Sequence, residues 1–307
     1  SDTLSISPAK AENEGAYHVV ATSEGGSTSS ANSEVLVTDK RLYNIAARSR
    51  VGTGANVLIA GFVVIGPEPK QILIRGVGPG LPDSLDRLMV PRLEVYDGAN
   101  ELIYSNNNWS DSNNSDEILE AARAVGAGNP EMPLAEGDTA LLVELDQGLY
   151  TAIVRSQDET SGIALVDAFE VTGELTRMIN VSARAYVGIG DEVVIPGFVV
   201  DGDLPSKVLI RAIGPGLVER NIAGVLEFPE ITVFDSQRNP IAFNDGWGNL
   251  WDPATINDAS ALVNAPPLAE GSEDAALILE LEPGLYTVKT AGENDTTGVA
   301  LVEIFAI

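Results

Sequence analysis

The feature that most constrains this chain is an internal duplication. Arg41-Leu-Tyr-Asn-Ile returns as Arg177-Met-Ile-Asn-Val, and Gly61-Phe-Val-Val returns as Gly197-Phe-Val-Val. Leu73-Ile-Arg-Gly-Val-Gly-Pro-Gly-Leu returns as Leu209-Ile-Arg-Ala-Ile-Gly-Pro-Gly-Leu, again 136 residues later. Leu134-Ala-Glu-Gly matches Leu268-Ala-Glu-Gly, Gly148-Leu-Tyr-Thr matches Gly284-Leu-Tyr-Thr, and Ala164-Leu-Val-Asp matches Ala300-Leu-Val-Glu. Trp109 and Trp247 lie 138 apart, so small insertions sit in the loops between. A repeat of this length is a domain-sized unit, which predicts two copies of one domain at 41–172 and 176–307.

Each copy reads as all-β. Segments 42–48, 56–65, 70–77, 92–96, 101–105, 139–145, 149–155 and 162–171 are rich in Val, Ile, Leu and aromatic residues. Clusters of Gly, Pro, Asp and Asn separate them at the spacing of a sandwich or barrel. Eight strands per copy predict two tandem jelly-roll-like β-sandwiches. One helix interrupts each copy. Residues 116–125 have an acidic first turn and helical apolar spacing, and 253–263 begin with Pro253. Both are expected to close one end of the sandwich.

The first forty residues differ. Leu4-Ser-Ile-Ser, Asn13-Glu-Gly-Ala-Tyr17-His-Val, Gly25-Gly-Ser and Ser33-Glu-Val-Leu-Val resemble the last three strands of an immunoglobulin-like domain. The Gly-x-Tyr element is similar to that family's tyrosine corner. The family's second cysteine falls at Val19, so the resemblance implies a disulfide-free version. Three strands cannot close a sandwich and leave an edge open. Either the native protein extends upstream or another element covers the segment.

Taken together, the Leu-Ile-Arg-x-x-Gly-Pro-Gly-Leu element, the Asn/Asp-rich Trp loops, Gly-Leu-Tyr-Thr and the Gly-x-Ala-Leu-Val-Asp/Glu ending resemble a β-sandwich repeat of large secreted bacterial surface proteins. Their rhythm is also similar to that of bacterial pre-peptidase C-terminal domains. The resemblance implies a fold and an extracellular or cell-surface location, and it brings no catalytic residues.

Composition narrows the chemistry. The 307 residues carry 45 acidic and 18 basic side chains, a net charge of −27, which disfavours nucleic acid and anionic lipid. Cysteine is absent, which removes disulfides, thiolate metal sites and Cys nucleophiles. The single histidine, His18, leaves no His cluster for a metal and argues against a Ser-His-Asp triad. The longest apolar run, 57–65, is far short of the ~20 residues of a spanning helix. The N-terminus has no charged and apolar leader pattern, so any signal peptide is expected to lie outside this chain.

Few residues remain as candidates. Strand alternation puts Arg75 on the face of Leu73 and Val77, and Asp167 on the face of Leu165 and Phe169; Arg211 and Glu303 repeat this. Charges on apolar faces predict internal ion pairs, Arg75–Asp167 and Arg211–Glu303. The Gly-Pro-Gly elements at 78–80 and 214–216 lack the Lys-Ser/Thr of a phosphate loop and read as turns. The Trp loops collect oxygen donors suited to calcium: Asn106, Asn107, Asp111, Asn244, Asp245 and Asp252. The same residues are ordinary turn formers. Trp109 and Trp247 recur and read as plugs; Trp251 has no counterpart and is the candidate glycan contact. No spacing singles out two carboxylates as a glycosidase pair.

The sequence therefore predicts a non-enzymatic extracellular structural or adhesive protein. Its expected partners are further copies of itself, head to tail, or other surface proteins. The alternative is a carbohydrate-binding accessory region of a secreted enzyme, with polysaccharide as partner.

Overall fold

The computed structural model describes residues 4, 13, 15–23, 25–35, 41–42, 44–127, 134–171, 176–202 and 204–307. The chain divides into two compact units, Ser1–Lys40 and Arg41–Ile307.

In the first unit β1 (Gly15–Tyr17) pairs with β4 (Ser33–Val35), and β2 (Val20–Ser23) pairs with β3 (Gly26–Ser29). Ser30 N donates to Val19 O between them at 2.9 Å, so the four strands form one long hairpin. Tyr17 donates its hydroxyl to Asn13 O at 2.8 Å, the bond that defines a tyrosine corner. The expected first strand falls almost wholly outside the described residues.

In the second unit each repeat folds into the same eight strands. The first has β5 (Arg41–Leu42) running into β6 (Asn44–Val51), then β7 (Leu58–Ile65), β8 (Lys70–Val77), β9 (Pro91–Asp97), β10 (Leu102–Asn106), β11 (Thr139–Leu145), β12 (Gly148–Ser156) and β13 (Gly162–Glu170). The second has β14 (Arg177–Val187), β15 (Ile195–Asp201), β16 (Ser206–Ile213), β17 (Pro229–Phe234), β18 (Pro240–Asn244), β19 (Ala275–Leu281), β20 (Gly284–Gly292) and β21 (Gly298–Ala306). Within a repeat the antiparallel orders are β10-β9-β12-β7 and β11-β8-β13-β6. The second repeat has the equivalent orders. This is an all-β sandwich.

The two repeats are not separate bodies, as two tandem domains would be. β14 adds to β7, with Ser182 opposite Gly61, and β6 adds to β15, with Ala46 opposite Gly197. Each sheet of one repeat thereby continues into a sheet of the other, giving two eight-stranded sheets. The pairings exchange under a pseudo-two-fold axis; Arg50 and Tyr186, equivalent residues, bridge to each other across it. One apolar core follows, running from Ile45, Phe62 and Leu93 to Met178, Phe198 and Val233. The reason is burial: β7 alternates buried and half-buried along its whole length and carries no guarding charge or proline, so it must be a central strand.

The helices also sit differently from expectation. α1 (Ser115–Ala124) and α3 (Pro253–Leu262), the latter preceded by the short α2 (Trp247–Leu250), lie over outer sheet faces instead of closing an end. Ile118, Ala121 and Ala122 pack on Leu73, Ala140 and Phe169; Ile256 and Ala259 pack with Leu209, Trp247 and Phe305. Those outward apolar side chains need cover, which explains why β8 and β13 are buried on both faces. No helix among the described residues is long and apolar enough to cross a membrane.

Candidate functional site

Under each helix lies a buried arginine. Arg75 and Asp167 are direct cross-strand partners on β8 and β13, each about 1% exposed. The contact is bidentate: Nε to Oδ1 at 2.9 Å and Nη2 to Oδ2 at 2.6 Å. Arg75 Nη1 donates to Ala127 O just beyond α1, and Phe169 lies under the guanidinium at 5.3 Å. Burial works against the charge on Arg75, but Asp167 more than offsets it and raises the pKa. Arg211 repeats the plan. It binds Glu303 through Nε at 3.0 Å and through Nη2, and it donates to Ser260 Oγ in α3 and to Pro266 O. Each arginine pins the sheet to its helix cover.

The Gly-Pro-Gly turns are filled from inside. Gly78 N and Gly80 N both donate to Asp138 Oδ1, at 2.9 and 3.0 Å, and Ala135 N donates to Oδ2. Asp274 takes Gly214 N and Gly216 N in the second half. Burial raises the pKa of Asp138, opposed by those three amides and by Arg75. A Cβ on Gly78 would stand 2.0 Å from Leu88 O, and one on Gly214 1.9 Å from Leu226 O. The chain after each turn is thus pressed against the strand end, and a side chain cannot enter.

The six candidate calcium ligands divide between the two Trp loops, Asn106, Asn107 and Asp111 in one and Asn244, Asp245 and Asp252 in the other. Asn106 Oδ1 accepts from Ala140 N at 3.2 Å, and Asn244 Oδ1 from Ala276 N at 2.9 Å, clamping β11 and β19. Asp252 caps α3 by accepting from Ala254 N. Asp111 accepts from Asn108 Nδ2 and Asp245 from Asn249 Nδ2, while Asn107 offers its carbonyl to Gln157. Short turns explain these oxygens, and among the described residues no group of three or more His, Cys, Asp or Glu is placed to hold a metal. Trp109 Nε1 donates to Ala135 O and Trp247 Nε1 to Ser272 O, tying down the loops that carry Asp138 and Asp274. Trp251 is 39% exposed just after α2, and His18 is exposed on the N-terminal hairpin.

Three features escaped the sequence reading. Lys70 and Glu170 form a buried pair at 2.7 Å, 1% and 3% exposed, where the second half has Ser206 and Ala306. Tyr150 and Tyr286 donate to Asp146 O and Glu282 O four residues back, so Gly-Leu-Tyr-Thr is a further tyrosine corner in each repeat. On the outer face of β9 and β12, Glu94 lies between Arg92 and Arg155, with its Oε1 2.9 Å from Arg92 Nε and its Oε2 2.8 Å from Arg155 Nε. Tyr96 donates to the same carboxylate at 2.9 Å, and burial with that bond pushes its phenol pKa up. Comparing the two halves position by position would have exposed the first and third.

No protein-family model and no curated protein sequence matches the chain. Among solved structures, a DUF4785-family protein from Legionella pneumophila aligns over 87% of this chain and 84% of that one, at 8% identity. Its TM-score is 0.21, too low for a common fold to be read from it.

Proposed function

We propose that this chain is a non-enzymatic structural and adhesive protein of an extracellular surface, joined head to tail to further copies through strand edges. The observation that supports this reading is how the two halves already join: each extends the other's sheets by edge-strand addition. The outer strands keep a free edge among the described residues. β10 presents Leu102, Ile103 and Tyr104 to solvent, with no charge or proline inside it. β18 presents Ile241 and Phe243 but opens on Pro240, which weakens it as a template. An unguarded apolar edge is a site for pairing with another chain. The N-terminal hairpin, whose β1 and β4 pair only with one another among the described residues, is the complementary partner. A contact between two different surfaces that fails to close gives a filament. The buried charges of the second unit hold backbone in place, which fits a scaffold.

Sedimentation velocity and negative-stain microscopy of the full chain over a concentration series test this. Linear oligomers are expected, lost in Ile103→Lys and retained in Ile241→Lys. A chain that stays monomeric at every concentration, or whose oligomers ignore Ile103→Lys, refutes the assembly.

A further inference from the structure

The two halves share one plan, so a charged cluster in only one of them points beyond the fold. The first half places Arg92, Glu94, Tyr96 and Arg155 on the outer face of β9 and β12; the second has Glu230, Thr232, Phe234 and Ala291 there. Arg92 and Arg155 stand directly opposite each other, an arrangement of like charges that weakens a sheet. Glu94 supplies one negative charge against two positive, leaving an excess cation on a chain of net charge −27.

The guanidiniums are also under-used. Both Nε atoms are buried, yet neither N–H is directed well enough at Glu94 to make a hydrogen bond, so the contact is coulombic. Their terminal nitrogens have no acceptor among the described residues. Beside Arg92 opens a cleft of about 310 Å³ lined by Arg92, Ser105, Asn106, Asn107, Asn108 and Asp111. That is the lower end of the ~300–1,000 Å³ of small-molecule sites, room for one ring. The side chains of Ser105 and Asn107 make no hydrogen bond among the described residues, and Asp111 adds a carboxylate acceptor to the lining.

We propose that this cleft binds a uronate unit of an acidic polysaccharide. The carboxylate takes the open fork of Arg92, and planar bidentate pairing is what guanidinium favours. Ring hydroxyls meet Ser105, Asn107 and Asp111. Arg155 attracts the carboxylate of the next unit along the polymer. A bare phosphate gains nothing from Asp111, and an acidic peptide lacks the hydroxyls that the polar wall suits. Repulsion from the rest of the surface is screened beyond about 8 Å at physiological salt. The site deepens the adhesive half of the reading above and does not require self-assembly.

Calorimetric titration of the full chain with tetragalacturonate tests the proposal, beside its methyl ester, tetraglutamate and inorganic phosphate. Saturable binding of tetragalacturonate alone is expected. Arg92→Gln should weaken it at least tenfold, Arg92→Lys and Asn107→Ala less, with each variant keeping the native circular-dichroism spectrum at the titration temperature. Equal binding of tetraglutamate replaces the saccharide with an acidic peptide, and equal binding of phosphate replaces it with a simple anion; either overturns the proposal. So does an absence of binding, or binding indifferent to Arg92→Gln. None of these outcomes touches the sedimentation result, so the two readings fail separately.

Discussion

Arg75 shows what a buried charge does here at the scale of one residue. It is sealed from water and surrounded by Asp167, a backbone carbonyl and a ring, so every group of the cluster depends on the others. Arg75→Met leaves the buried Asp167 carboxyl, whose pKa burial already raises, without its partner, and the expected loss in urea denaturation is about 3–5 kcal/mol. Adding Asp167→Leu should recover much of that loss; a double variant no better than the single would show that the pair itself carries the stability. Asp138 behaves differently with pH. Burial raises its folded pKa above the ordinary carboxylate value, so the folded state binds its proton more tightly than the unfolded chain does. Its contribution is therefore fully present below the unfolded pKa of about 3.9 and is lost as pH rises through the folded value. Wild type should gain stability relative to Asp138→Asn between pH 7 and pH 4, read as the gap between urea midpoints. A gap that does not change with pH would contradict this.

At the scale of elements, most of the strands were legible because their signal is local. Alternation and turn residues place β7, β8, β11 and β12 within a residue or two, and the helices to within one residue at each end. What they pack against was not legible. Leu73, Val77 and Phe169 announce a covered outer face, but the same pattern fits a helix above the sheet or a second sheet. The Asn and Asp of the Trp loops were ambiguous for a related reason: a side-chain oxygen that clamps a strand amide, as Asn106 and Asn244 do, has the same residue chemistry as a calcium ligand. Only the coordinates show which partner it meets. The tyrosine corners were within reach, since Gly15-x-Tyr17, Gly148-x-Tyr150 and Gly284-x-Tyr286 share one spacing and one bond to the carbonyl four residues back.

For the whole of 41–307 the decisive fact is that the joint between repeats runs through the middle of both sheets. Sequence identity between copies establishes the duplication but says nothing of how copies meet, because strand pairing is non-local. Removing one half would bare β6 and β7, or β14 and β15, along their length, and would open the shared core around Met178 and Phe198. Neither half then keeps a complete sandwich edge, and bared edges favour aggregation. The two repeats should therefore unfold as one cooperative unit, with coincident fluorescence and circular-dichroism transitions in urea. The denaturant slope should match the surface of the full 41–307 unit, since it scales with the area exposed. Separately produced 41–172 and 176–307 should be unfolded or aggregated alone and should regain the native spectrum when refolded together. Two resolved transitions, or a monomeric 41–172 with its own sharp transition, would mean that the halves are autonomous and merely touch.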